Sequence, residues 1–437
     1  MARKMKDSGI EWIGEIPKAW KINRIKNSFF IVSGATPKSE YDEFWDGNIP
    51  WITPADYKTK DKYVSCGRRN LSLLGYNSCG STLVPTNSLV FSKRAPIGAV
   101  AITNRELCTN QGCLCCVPKN KANIIFYYYV LSVFTEQFEL LGSGTTFKEI
   151  QASVFSNFYV PYPKFSEQQS IADFLDTQCV HIDSVIEKTR AAIEEYKKLK
   201  QAVITQAVTK GIRPNREMKD SEIEWIGKMP KDWMLIPFRH VLNERNEKNS
   251  PVRSTERLSL SIDLGVTLYS EKTTNLDRFK DDFEQYKIAH KGDLVMNSMN
   301  MIVGATGVSS YYGCVSPAYY TFYDDTENHI TAKLCEYIFR SKTMLRVLFS
   351  MGKGIYAIVR GDDRVNTCRL KVSRDDLRSI QLPIPLLDEQ SEIVAYLDEK
   401  TAAIDSLIQK KEQLITELEA YKKSLIYEYV TGKKEVI

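Results

Sequence analysis

Histidine is scarce in this 437-residue chain, and His181, His240, His290 and His329 stand apart from one another and from paired acids. That spacing excludes an H-E-x-x-H zinc site and gives no Ser/His/Asp order for nucleophilic catalysis. A G-x-x-x-x-G-K-[ST] loop and a dinucleotide fingerprint are also missing, and the glycine-rich stretches near Gly142 and Gly352 lack the strand-to-helix spacing that cradles a nucleotide. Long hydrophobic runs are absent too: the longest, 124–134, is too short to span a bilayer. The first residues carry charge rather than an apolar h-region, so the expectation is a cytoplasmic protein without a membrane partner. Ten cysteines are scattered unevenly without a secretory signal, which favours free thiols over a disulfide framework. Cys108, Cys113, Cys115 and Cys116 lack a second paired set and a neighbouring histidine, so they read as small apolar residues of a buried strand rather than zinc ligands.

What remains is ordinary globular composition, 43% hydrophobic and 26% charged, in a chain long enough for two or three domains. Its distinguishing property is repetition. MKDSGIEWIGEIPKAW from Met5 returns as MKDSEIEWIGKMPKDW from Met218, with 12 of 16 positions identical. PYPKFSEQQSIADFLDTQCVHIDSVIEK from Pro161 aligns without a gap on PIPLLDEQSEIVAYLDEKTAAIDSLIQK from Pro383, an offset of 222. The order is therefore A-B-A′-B′, with A at 1–160, B at 161–212, A′ at 213–382 and B′ at 383–437.

The B segments read as long helices. A Pro-x-Pro stretch that excludes helix is followed by Ser166 or Asp388 and then by acidic and glutamine residues, a helix-start signature. From there the apolar residues step by four and three. Leu175, Ile182, Ile186, Ile193 and Val203 mark the first seam, and Leu397, Ile404, Ile408, Ile415, Leu418 and Leu425 the second. A helix over 166–210 would be roughly 65 Å long at 1.5 Å per residue. Val185, Ala192 and Leu199, with Leu407, Leu414 and Tyr421, widen each stripe beyond a two-stranded seam, so each helix is expected to meet more than one partner.

The A segments are rich in Gly, Pro, Tyr, Asn and β-branched residues, which predicts short strands and loops, with some helix as over 333–348. Each is expected to be an α+β domain with a small, bent sheet. The positive excess lies here: 1–160 holds 19 basic and 13 acidic residues, whereas 383–437 holds 7 and 11. Lys93 and Arg94, Asn110 and Gln111, and the stretch 356–364 interleave cations with amides and aromatics in loops. Cations position a phosphate backbone, and Arg, Asn and Gln pair with purine edges.

The phrases IEWIGEIPKAW and IEWIGKMPKDW, SGATPKSEYDEFWDGNIPWITPADY, SKRAPIGAVAITNRELCTNQG, GSGTTFKEI, LPIPLLDEQSEIVAYLD and AYKKSLIYEYVTGKKEV resemble the specificity subunit of a Type I restriction-modification system, over essentially the whole chain. The resemblance implies two target recognition domains joined by two antiparallel coiled-coil helices in a pseudo-two-fold arrangement. It implies a non-catalytic reader of an asymmetric, bipartite double-stranded DNA target, with a spacer set by the helices. The expected partners are two methyltransferase subunits and two restriction and motor subunits; S-adenosylmethionine, ATP and Mg2+ would be held by those partners and none by this chain. Loop position and chemistry then nominate Lys93, Arg94, Asn110, Gln111, Lys148, Asn297, Asn300, Tyr356, Arg360 and Arg364 for DNA contact. A specificity subunit of a related phage-defence system, a coiled-coil scaffold without DNA readout, and a self-sufficient enzyme are the rival readings; the last is disfavoured by the missing motifs.

Overall fold

The computed structural model describes residues 3–57, 62–94, 96–119, 122–144, 148–272, 282–355 and 369–436. Two helices dominate it, Phe165–Lys210 and Leu387–Val430. The chain divides into two compact units: Met1–Thr189 with Gln413–Ile437, and Arg190–Glu412. Each unit thus owns one globular module, half of the first long helix and half of the second. No helix among the described residues is long and apolar enough to cross a membrane.

In the first unit a five-stranded sheet runs Phe29–Ser33, Cys113–Pro118, Leu89–Ser92, Val100–Thr103, Tyr63–Val64 in spatial order. The first four strands pair antiparallel. The continuous apolar runs of the central strands fit burial on both faces: Leu89, Val90, Phe91, Cys113, Leu114, Cys115 and Cys116 are all buried. Burial pushes the Cys115 thiol up to about 12, which suits the apolar role expected of it.

The second unit repeats that order with Asn243–Arg245, Tyr319–Tyr323, Leu294–Asn297 and Thr306–Val308, again all antiparallel. The register repeats as well. Leu89 lies opposite Cys116 and Ile102, and Leu294 opposite Phe322 and Val308. The helix predicted over 333–348 is in fact two, Ile330–Arg340 and Lys342–Met351. Ser341 divides them: its backbone is extended and its hydroxyl accepts from the Met344 N–H, capping the second helix where a continuous helix would have required a bond from its own backbone.

The long helices pair antiparallel inside each unit. In the first, the Phe174 and Tyr429 rings pack at a tilt with centroids 4.4 Å apart, and Lys422 reaches Asp183 at 2.6 Å. In the second, Lys411 sits over Tyr196 and Lys200 reaches Asp405 at 2.6 Å. The seam residues follow the expected pattern. Leu175, Ile182, Ile186, Ile193, Leu397, Ile404 and Leu425 are buried, and Val203, Ile408, Ile415 and Leu418 half-buried. Leu175 and Leu397, each fully buried, contribute ~2 kcal/mol apiece through removal from water. Of the additional stripe, Val185 and Ala192 are half-buried, whereas Leu199, Leu407, Leu414 and Tyr421 remain exposed.

Candidate nucleic-acid interface

The modules are fastened to the helices by a duplicated set of polar contacts. In the first unit Glu167 near the helix start accepts from Trp20 Nε1 at 2.8 Å and pairs with Arg3. In the second, Glu389 accepts from Trp233 Nε1 at 3.1 Å and pairs with Arg216. Both tryptophans close the opening repeat and both glutamates belong to the second repeat, so the two sequence repeats are the two halves of one lock. The next residue also repeats its role. Gln168 Nε2 donates to the Pro163 carbonyl, and Gln390 Nε2 to that of Pro385, each at 3.0 Å. Tyr129 donates to Asp176 at 2.7 Å, and Tyr337 to Asp398 at 2.5 Å. Burial and then the adjacent carboxylate hold both phenols well above their ordinary value.

The ends of the central strands differ. In the first unit Leu89–Ser92 runs directly into Lys93 and Arg94, while the partner strand Cys113–Pro118 is preceded by Asn110, Gln111 and Gly112. The Lys93 N–H donates to the Gly112 carbonyl at 2.9 Å, and the Ile150 N–H to the Lys93 carbonyl at 3.0 Å. Asn110 Oδ1 accepts from the Gly112 N–H at 2.9 Å, an Asx turn that leaves the Gln111 side chain exposed. Thr36 donates to Gln111 from a segment that lies so close that a Cβ on Gly34 would stand 2.1 Å from the Thr109 carbonyl oxygen. Lys93, Arg94, Asn110, Gln111 and the exposed Lys148 are therefore gathered at one end of the sheet, although 55 residues separate Lys93 from Lys148.

One member of this cluster was not legible in the sequence. Glu149 pairs with Lys93 at 2.8 Å and with Arg94 at 3.4 Å, and the hydrogen bond from Lys93 holds its carboxyl below the usual carboxylate range. The isolated bridge between Arg94 and Glu149 brings them together, and no spacing rule announces an isolated bridge.

In the second unit the corresponding strand ends in Asn297, and only part of the nomination holds spatially. Asn297 is 7% exposed, and its Oδ1 accepts from the Met299 N–H at 3.1 Å, so its carboxamide shapes the turn from inside. Asn300 is exposed on the same turn. Tyr356, Arg360 and Arg364 lie outside the described residues.

Residues 17–195 match the family model described as Type I restriction modification DNA specificity domain. The chain is 30% identical over 253 residues to the MjaIX specificity subunit of Methanocaldococcus jannaschii, covering 55% of this chain and 56% of that one. It is 20% identical to the MjaVIII specificity subunit of the same organism over 96% of this chain and 94% of the relative. The first two curated relatives are thus matched over about half their length, 56% and 45%. Among solved structures, the HsdS subunit of Thermoanaerobacter tengcongensis shares the fold with a TM-score of 0.53 at 14% identity, covering 96% of this chain and 98% of that one. A chain from a structure of type I R-M complex assembly and conformational transition shares it with a TM-score of 0.68 at 14% identity, over 96% and 99%. Residues 17–195 are thus similar to the Type I restriction modification DNA specificity domain, and the chain shares its fold with solved HsdS structures over nearly its whole length.

Proposed function

We propose that this chain is the DNA-reading subunit of a Type I restriction-modification complex, with each globular module reading one half of an asymmetric, bipartite target. The observation that carries this is the contrast between duplicated and unduplicated parts. The tryptophan–glutamate, glutamine–proline and tyrosine–aspartate contacts at the helices recur in both units, while the strand ends carry Lys93 and Arg94 in one module and Ser298 and Met299 in the other. Equivalent mounting with unlike loops is what two different half-sites require. The cluster around Lys93 combines phosphate-seeking cations with amides able to pair with base edges.

The chain itself carries out no chemistry on DNA in this reading. Methyl transfer from S-adenosylmethionine belongs to two methyltransferase subunits, and ATP- and Mg2+-dependent translocation and cleavage to two restriction and motor subunits. The exposed Leu199, Leu407, Leu414 and Tyr421 give the long helices apolar surface for helices of the methyltransferase subunits. The test is adenine-methylation mapping in cells expressing this chain with and without its methyltransferase. One asymmetric split motif should be modified only when both are present. Methylation by the chain alone, or salt-insensitive DNA binding by the assembled complex, contradicts the proposal.

A further inference from the structure

We infer that Glu149 is a built-in competitor for the DNA phosphate, occupying Lys93 and Arg94 in the free protein and yielding them only when a duplex is seated on the cluster. This rests on the DNA-reading role proposed above. Both cations converge on one carboxylate: Lys93 Nζ at 2.8 Å from Oε1, and Arg94 Nη1 at 3.4 Å from Oε2. A carboxylate offering an oxygen to each cation is the nearest side-chain analogue of two phosphodiester oxygens.

The arrangement is placed so that it can exchange. The Glu149 and Arg94 side chains are 34% and 38% exposed, so the 3.4 Å pair is wet and weak, while Lys93, 15% exposed, makes the tighter pair of the two. The backbone need not move. Lys93 is held at its N–H by Gly112 and at its carbonyl by Ile150, and Glu149 is tied through backbone bonds in both directions to Ser143. Only the Glu149 side chain has to rotate to leave Lys93 and Arg94 without this carboxylate, at a sheet end where Gln111 and Lys148 are exposed.

The pair is also not a requirement of the scaffold. At the matching strand end the second unit has Ser298 and Met299, with Asn297 in the register position of Ser92. A carboxylate masking cations lowers affinity for any phosphate backbone, and backbone contacts supply essentially all non-specific binding. The consequence is selectivity: Lys93 and Arg94 add little on random DNA and more where base contacts hold the duplex in place.

The experiment uses the full chain, titrated with a random-sequence duplex at several salt concentrations. Glu149→Gln should bind severalfold more tightly, with log K falling against log salt about 0.9 to 1.8 units more steeply, as expected for one or two additional phosphate contacts. Lys93→Gln with Arg94→Gln should abolish the gain in the Glu149→Gln background. An unchanged or weaker Glu149→Gln, with native salt-dependent binding intact, overturns the competitor role and leaves DNA reading standing. Absence of salt-dependent duplex binding in both proteins overturns DNA reading and the competitor role together. A Glu149→Gln that binds more tightly with an unchanged salt slope also overturns it, because no phosphate contact has then been gained.

Discussion

The two globular modules are alike where they meet the helices and unlike where their sheets end. Trp20 on Glu167 is matched by Trp233 on Glu389, and Tyr129 on Asp176 by Tyr337 on Asp398. Asp183 takes Lys422, and its counterpart Asp405 takes Lys200, the counterpart of Lys422. Against this, the cation pair with its carboxylate in one module faces an uncharged turn built on a buried asparagine in the other. A duplicated chain has kept its mounting and changed what it mounts. On the proposed reading, the difference puts selectivity in the strand ends and geometry in the helices.

The most severe test of the equivalence is to delete one side of it. Residues 1–212 lack the segment that supplies Leu425, Ile426 and Val430 to the first core, but a second copy offers Val203, Ile204 and Val208 at the matching positions. Gly211 and Gly432 even share the left-handed backbone after the helix, at φ 71° and 73°. The fragment should therefore form an antiparallel homodimer by sedimentation and, with its methyltransferase, modify a palindrome of the first half-site. A monomeric, inactive fragment would show that the halves are no longer interchangeable.

The two locks are equivalent in residue type but unequal in burial. The side chain of Glu389 is 3% exposed and that of Glu167 27%. Removing one partner of a buried pair strands the other, so Glu389→Ala should cost about 3 kcal/mol, against about 1 kcal/mol for Glu167→Ala. Denaturant titration of both variants measures the gap, and equal losses would contradict the burial argument.

Alkaline pH probes the tyrosine pair. Each phenol has a folded-state pKa above its unfolded value near 10, so the unfolded chain releases the proton first. Their contribution is present in full below about pH 10 and declines as pH rises beyond it. Tyr129→Phe and Tyr337→Phe should be less stable at pH 8 and lose less stability between pH 8 and 11 than the native chain.

The smallest effect is expected from the helix rungs, whose acids are about half exposed. Lys200→Glu should cost about 0.5–1 kcal/mol, and adding Asp405→Lys should restore most of it. A double mutant no better than the single would remove this contact from the account of pairing.

The architecture was readable because its signals are periodic. Heptad spacing from Leu175 to Val203 and from Leu397 to Leu425 specifies a helix face, and the gapless offset of 222 specifies that both helices do the same work. Tertiary packing was less readable. Ser341 breaks a helix whose apolar periodicity continues through it, because a cap depends on one side-chain bond rather than on pattern. Glu149 escaped notice for the same reason: it meets Arg94 across 55 residues through one isolated bridge. Asn297 has the chemistry of a base-reading residue, and only burial reveals that its amide faces its own turn. Polar residues that read DNA and polar residues that hold a loop look identical in sequence.

The claim that the helices set the spacing between two independent half-sites has one direct measurement. Asp183 and Lys200 on the first helix, and Asp405 and Lys422 on the second, are 17 residues apart in each, so lengthening must be paired to keep both rungs. One heptad inserted between Thr189 and Arg190 and another between Glu412 and Gln413 preserves the seam and extends each helix by roughly 10 Å. Genome-wide mapping of methylated adenines in cells carrying this variant and its methyltransferase should return both original half-sites separated by a longer spacer. An unchanged spacer, or altered half-sites, would contradict the division of labour between helices and modules.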